Sequence, residues 1–486
     1  MIHPTAFHNS YARLPEGFFV PVLPTKVAAP RLVALNVPLA QELGLDARAL
    51  ATPQGAEIFS GRLIPQGAEP LAMAYAGHQF GHFVPTLGDG RAILLGELRD
   101  QNGINRDLQL KGAGLTPFSR RGDGRAALGP VLREYLVSEA MAALGIPTTR
   151  ALAAVTTGET VWRGKALPGA VLTRVATSHI RIGTFQFFAA RGDEANVKCL
   201  ADYVINRHYP EAASAACPYL ALLEGVIARQ AALVAQWLLV GFVHGVMNTD
   251  NMSICGETID YGPCAFMDAY HPATCFSSID TGGRYAYGRQ PDIALWNLCR
   301  LAECLLPLLD PDETKALVLA SAALDGFKPR FEDVYLEGMR RKLGLTTAEQ
   351  GDDKLASALL ELMEKAGADF TLSFRRLCEA AETSQADEAL FAGFANWAPY
   401  WRARLAQENT SPATRRAAMQ QVNPVFIPRN SHVEAALALA VEQDDFSGFE
   451  TLHEILKTPY DDQPDFAAYT LPLPSNGEIY QTFCGT

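Results

Sequence analysis

The residues whose types and spacing could do chemistry lie in a fixed order along the chain. In His244-Gly-Val-Met-Asn-Thr-Asp-Asn251 an asparagine stands seven residues after a histidine, and Asp260-Tyr-Gly262 begins nine residues later. An Asn amide oxygen and an Asp carboxylate joined by a short hairpin are hard donors of the kind that hold a divalent cation against nucleotide phosphates. Upstream, Leu87-Gly-Asp-Gly-Arg91 opens a strand-like run; Gly88 and Gly90 let backbone N–H groups approach phosphate, and Arg91 adds a fixed cation. Lys111 follows Gly90 by 21 residues, and Glu134 falls on the next helical stretch. A strand lysine held by a helix glutamate can orient a nucleotide phosphate. Taken singly, a Gly-x-Gly is a β-turn and an Asp-x-Gly is turn chemistry. The five features in this order point to an ATP site with magnesium.

The spacing from His244 to Asn251 is that of the protein-kinase catalytic loop, whose base stands two residues after the histidine. Here that position is Val246, which cannot accept a proton. Asp250 is the available carboxylate. Two readings stay open at this point: a nucleotide-binding pseudoenzyme, or different chemistry with a displaced base. Arg91, Arg174 and Arg181 flank segments expected to border the pocket. Guanidinium groups bind phosphate and match an adenine ring poorly. ATP seated with its γ-phosphate inward and its α-phosphate presented to the acceptor would transfer AMP and release pyrophosphate. The alternatives are a kinase with its base at Asp250 and a non-catalytic ATP-binding scaffold.

These side chains need elements to hold them. Period-two runs at Arg91–Leu98 and Asp107–Lys111, joined by a Gly- and Asn-containing turn, predict an antiparallel hairpin ending in Lys111. A helix is expected from Pro130 to Leu144, carrying Glu134 and stopped by Gly145, and a short strand at Ala170–Val175 carries Arg174. A long apolar helix over residues 221–243 runs directly into His244, and another covers 292–309. Further helices are expected at 354–366, 387–407 and 432–443, with the aromatics Phe391, Phe394, Trp397 and Trp401 as core. The organisation expected is an α+β, protein-kinase-like (pseudokinase) bilobal fold. It divides into an amino-terminal extension over 1–65, an N-lobe over 66–168, a C-lobe over 169–330 and a helical carboxy-terminal extension over 331–486.

With 486 residues, 48% of them hydrophobic, the chain can bury a large core. Its net charge of −12 disfavours a broad nucleic-acid or anionic-lipid footprint, so phosphate recognition has to be a local cationic pocket. Glu224, Arg229 and Gln236 interrupt the most apolar stretch, which predicts a buried helix and no membrane span. Nine cysteines without a Cys-x-x-Cys pair argue against a zinc ribbon or a disulfide scaffold. No signal-peptide pattern is read at the amino terminus, so the expectation is a cytoplasmic protein. Nothing demands more than a monomer.

Ala76-Gly-His-Gln-Phe-Gly-His82, Leu87-Gly-Asp-Gly-Arg91, Leu110-Lys-Gly-Ala-Gly114, Arg120-Arg-Gly-Asp-Gly-Arg125, His244–Asn251 and Asn423-Pro-Val-Phe-Ile-Pro-Arg-Asn430 together resemble the selenoprotein O (YdiU) family, over essentially the whole chain. The resemblance implies a pseudokinase fold with protein adenylyltransferase activity on Ser, Thr or Tyr hydroxyls, inverted ATP with magnesium or manganese, and UMP transfer in some members. It implies Asp250 as proton acceptor and Asn251 and Asp260 as metal ligands. It implies Gly88, Gly90, Arg91, Lys111, Asp123, Gly124, Arg174, Arg181 and Asp260 as nucleotide contacts, with Glu134 orienting Lys111. Protein substrates are the implied partners, redox-related proteins among the candidates. Where some members carry selenocysteine, this chain has Cys484, and a reversible disulfide with Cys275 is the expectation for redox control. His78 and His82 have helical metal-pair spacing, but Gly77, Gly81 and Pro85 favour a loop with a structural or substrate-facing role.

Overall fold

Alternating side chains set the central sheet. The computed structural model describes residues 7–383 and 394–474. An eight-stranded sheet runs in the order β1 (Phe19–Pro21), β3 (Leu71–Met73), β6 (Ala92–Arg99), β7 (Asn105–Lys111), β10 (Ala166–Ala176), β9 (Arg150–Trp162), β2 (Arg31–Leu35), with β8 (Ala126–Ala127) pairing β10. The paired strands are antiparallel. In β7, Leu108 and Leu110 point to one face, where they pack with Ile93, Leu95, Val171 and Val175 under the short helices between Val37 and Phe59. Gln109 and Lys111 therefore point to the other face, as do Leu172 and Arg174 of β10, since strand side chains alternate. The β7–β10 register sets Lys111 opposite Leu172 and Gln109 opposite Arg174. That second face is covered by the helix Leu128–Ala143, whose Leu132, Tyr135 and Leu136 pack on Ala151, Ala170 and Leu172. One turn of this helix thus brings Glu134 over Lys111 and Arg174.

The hairpin expected before Lys111 and the helix carrying Glu134 are present. Two features differ from expectation. The strand expected at Ala170–Val175 is the middle of the 11-residue β10, paired to the 13-residue β9. Alanine and threonine dominate β9 and weaken its apolar alternation, although they fit a crowded sheet interior. The long apolar helix spans Pro218–Leu239, and Phe242–Val243 forms β11, paired with β12 (Ala265–Phe266). Gly241, at φ 74°, turns the chain where the helix ends. Among the described residues this helix alone is long and apolar enough to cross a membrane, but its apolar face lies in the core with Trp237 and Leu298. Trp237 is buried, donates through Nε1 to Thr258 Oγ1 at 2.9 Å, and lies against His244 with ring centres 5.4 Å apart.

Helices Gln290–Leu309, Phe327–Lys342, Asp352–Ala366 and Phe370–Ala380 extend that core, and Asn430–Gln443 and Ser447–Leu456 fold back onto Leu128–Ala143. Trp397 and Trp401 stack at 5.5 Å and are buried with Phe394, as expected for core; Phe391 lies outside the described residues, as does the start of the helix expected at 387–407. Arg429 joins three segments by pairing with Asp268 and with Asp369 at 2.8 Å.

Lys342 ends its helix 3% exposed, its ammonium 4.2 Å from the Phe374 ring centre and 5.5 Å from that of Phe370. Burial pushes this amine down to about 7 from its ordinary 10.5. A base with a lowered folded-state pKa opposes folding while protonated, so this contribution improves as pH rises from about 7 toward 10.5. Lys342→Met should raise unfolding free energy at pH 7 by about 1–3 kcal/mol and remove that rise, measured by denaturant melts at pH 7 and 9.5.

Candidate active site

A cleft of about 810 Å³ opens between the sheet and the segments around Asp250 and Asp260, and it gathers most of the polar residues singled out in the sequence. Gly88, Gly90, Arg91, Lys111, Asp123, Gly124, Arg174, Arg181, Asp250, Asn251 and Asp260 all line it. The Gly88–Gly90 turn has a second reason for its glycines. Gly88 sits at φ 62°, and a side-chain carbon there would fall on the Phe118 ring. Asp89, between them, is buried and accepts from Met73 N at 3.1 Å and Gln109 Nε2 at 3.2 Å, so it shapes the turn.

On one side of the cleft three cations converge on two carboxylates. Lys111 Nζ is 2.6 Å from Glu134 Oε2 and 3.4 Å from Asp260 Oδ1. Arg174 pairs with both Glu134 and Asp260, and Arg181 with Asp260. Arg181 also donates to the Asp250 carbonyl at 2.6 Å and lies over the Tyr75 ring at 4.7 Å. Burial would raise the Asp260 and Glu134 carboxyls, but Arg174, with Arg181 and Lys111 at Asp260 and Lys111 at Glu134, holds both below the usual range. Burial and the neighbouring Arg174 lower the Lys111 ammonium. Three cationic groups gathered on two carboxylates can exchange those partners for the oxygens of a polyanion.

The turn after β11 carries the remaining groups. His244 is fully buried and bonds through Nε2 to the Ile259 carbonyl at 2.9 Å, tying this loop to the Asp260 segment. Val246 lines the cleft, and its carbonyl accepts from Asn251 Nδ2 at 3.0 Å, which turns the Asn251 amide oxygen the other way. Asp260 itself adopts φ 64°, a conformation Asp tolerates. Asn251 and Asp260 together offer an amide and a carboxylate oxygen. Among the described residues no cluster of three His, Cys, Asp or Glu side chains could hold a metal. That donor set fits a cation carried mainly by phosphates and water, as magnesium usually is. The Asp250 carboxyl is buried and thereby pushed up to about 6.

Some expected residues have other partners. Asp123 is locked in a two-pronged pair with Arg163, at 2.7 and 2.8 Å, so Arg163 joins the site although its position, 40 residues on in sequence, gave no local signal. Arg120 and Arg121 also line the cleft; they belong to a motif quoted from the sequence but were given no role there. Cys275 is half-buried, its Sγ 3.4 Å from Asp280 Oδ2, and burial with Asp280 pushes the thiol up to about 11. Cys484 lies outside the described residues. His78 and His82 sit on two paired strands, β4 (Gly77–Gln79) and β5 (His82–Val84), and His78 Nδ1 is 2.8 Å from Gln186 Nε2. Sequence reasoning also gave no role to Gln79 and Phe80, which reach Asp250 and Asn248 in the turn after β11.

A family model described as "Protein adenylyltransferase SelO" matches residues 2–457. The chain is 64% identical over 485 residues to the protein nucleotidyltransferase YdiU of Bradyrhizobium sp. (strain ORS 278), with 99% of each chain covered. It is also 64% identical over 492 residues to the protein of the same name from Methylorubrum populi, again with 99% of each covered. The charged cleft, its paired Lys111 and Glu134, and these whole-length similarities agree, and the chain belongs to the SelO family of protein adenylyltransferases.

Proposed function

We propose that this chain is a protein nucleotidyltransferase that moves AMP from ATP to hydroxyl side chains of proteins and releases pyrophosphate. The observation that carries this reading is the convergence of Lys111, Arg174 and Arg181 on Asp260 in a cleft that the Asp250 carboxylate also lines. A terminal phosphate at those cations presents the α-phosphorus to an acceptor beside Asp250. The acceptor oxygen bonds to that phosphorus, the bond to the β-phosphate oxygen breaks, and the hydroxyl proton passes to the Asp250 carboxylate. A base whose proton affinity burial has raised toward neutrality takes that proton more readily.

In this reading Gly88, Gly90, Arg91, Asp123 and Gly124 border the nucleotide, Arg174 and Arg181 bind its phosphates, and Glu134 orients Lys111. Asn251 and Asp260 would hold magnesium or manganese, which supplies neutralisation of phosphate charge when bound. The His244–Asn251 and Asp260 spacing supports a kinase-like arrangement of two lobes; of the bounds expected, 66–168 and 169–330, the division at 168 falls inside β10, and β1 and β2 join the sheet from the stretch expected as an extension. The same reading makes the chain a cytoplasmic monomer with Cys275 and Cys484 as a redox pair.

The test is incubation with magnesium and ATP labelled separately at the α- and γ-phosphates, reading label on protein. Label from the α position alone is the expected result. Label from γ alone makes the chain a kinase with a displaced base, and neither label on protein, with ATP bound, supports a scaffold.

A further inference from the structure

The β4–β5 hairpin is built onto the catalytic turn residue by residue. Its strands register Gln79 opposite His82, leaving Phe80 and Gly81 as a two-residue turn with φ 52° and 84°. Positive φ at both central residues is the backbone of a type I′ hairpin, and Asn-Gly is its usual sequence. A bulky aromatic at the first position is costly, about 1–2 kcal/mol, and such strain persists where surroundings over-determine it. Here Phe80 N donates to Asn248 Oδ1 and to Tyr285 Oη, both at 3.1 Å, and its ring packs edge-on against Tyr285. Tyr285 Oη in turn donates to Asn248 Oδ1 at 2.6 Å.

The other hairpin residues follow the same pattern. His78 N donates to Thr249 Oγ1 at 2.7 Å, and Thr249 Oγ1 donates to Gln186 Oε1 at 2.6 Å. Gln79 Nε2 donates to Asp250 Oδ2 at 3.3 Å. Gly77 leaves room for the same carboxylate, since a Cβ there would fall on Asp250 Oδ1 and lie 2.9 Å from its Cγ. Among the described residues Asp250 Oδ1 has no hydrogen-bond partner although it is buried. Asp250 is therefore held on one side by an amide donor and on the other by a glycine sized to admit it.

We propose that Gln79 is a positioning residue for the transfer reaction: its side-chain amide fixes the Asp250 carboxylate at the angle from which it meets the acceptor hydroxyl. This rests on the assignment of Asp250 as proton acceptor. The strained Phe80 turn anchors the hairpin to Asn248, Gly77 and Gln79 grip the carboxylate, and the hairpin stands in for the shorter route that puts a base at position 246 in a kinase. A hydrogen bond to a charged group contributes about 1.5–3 kcal/mol, so losing it should cost roughly 10- to 100-fold in rate.

The experiment compares Gln79→Ala, Gln79→Glu and Gly77→Ala with wild type, in label transfer at saturating magnesium-ATP and in ATP affinity by calorimetry. The comparison uses whichever labelled phosphate wild type transfers, with the chain itself and casein as acceptors. A γ-label outcome then overturns AMP transfer and leaves the Gln79 test standing. The expected result is a fall in kcat of about tenfold or more in all three variants, with ATP affinity within about twofold of wild type. Gln79→Glu, of the same shape but without the donor, is expected to rescue nothing. In an Asp250→Asn background, Gln79→Ala should cost no further rate, because the carboxylate that Gln79 positions is already gone. Wild-type kcat in Gln79→Ala, full rescue by Gln79→Glu, or parallel loss of ATP affinity and kcat would each overturn the proposal.

Discussion

Asp250→Asn should reduce nucleotide transfer about 10²- to 10⁴-fold while leaving ATP bound as tightly as in the wild type. The separation follows from what each part of the residue does. Its carbonyl, which the substitution keeps, accepts from Arg181 at 2.6 Å and so helps hold the phosphate-facing guanidinium. Among the described residues its carboxylate pairs with no cation; it accepts a side-chain hydrogen bond from Gln79, and an asparagine oxygen can accept the same bond. The stability consequence has an unusual sign for an active-site change. Burial raises this carboxyl to about 6 against its ordinary 3.8, so the folded chain binds that proton more tightly than the unfolded chain. At pH 7 the ionised carboxylate therefore opposes folding, and the cost shrinks as pH falls through about 6. Metal-free Asp250→Asn should unfold with about 1–2 kcal/mol more free energy than wild type at pH 7, a difference that disappears near pH 4. Calorimetric melts in chelator and label-transfer rates check the two halves; transfer at wild-type rate removes the base assignment.

Gly88, Lys111, Glu134, Asn251 and Asp260 were legible through their order, since singly they are a glycine turn, a strand end, a helix stopped by Gly145, an apolar run ending at His244 and an Asp-x-Gly turn. Period two in β7 and β10 then fixes which face Lys111 and Arg174 share, and the helix over that face has to carry Glu134. What local reading could not reach was pairing across long separations. Arg163 meets Asp123 only because β9 and β10 are longer than their apolar cores, which carries the β9–β10 turn out to the cleft. Gln79 and Phe80 stand about 170 residues before the turn they grip, in a stretch whose glycines signal a loop and say nothing of what it touches. The arginines were expected as phosphate ligands, and the structure adds that Arg174 and Arg181 are both paired with Asp260. A sequence shows which charges exist; it does not show how they share partners.

That sharing makes Asp260→Ala the opposite experiment to Asp250→Asn. Removing the Asp260 carboxylate leaves Arg174, Arg181 and Lys111 gathered in a buried pocket with Glu134 as their remaining carboxylate in the cluster. Breaking a buried pair from one side strands charge in a medium that solvates it poorly, at about 3–5 kcal/mol. The depressed Asp260 carboxyl has the matching linkage: it stabilises the fold above its unfolded-state pKa, and that contribution is lost as acid protonates it. Asp260→Ala should therefore melt well below wild type at pH 7 and lose transfer beyond detection. Metal-free ATP should nevertheless bind it more tightly than it binds wild type, by about tenfold, because the triphosphate meets the same cations with one competing carboxylate gone. Asp260→Asn, which keeps an oxygen in place, should fall between the two in stability and still lack transfer. The measurements are thermal melts with and without ATP in chelator, set beside label transfer with magnesium. Weaker metal-free ATP binding by Asp260→Ala would mean that the phosphates do not reach the three cations, and with that the placement of the terminal phosphate beside them would fall.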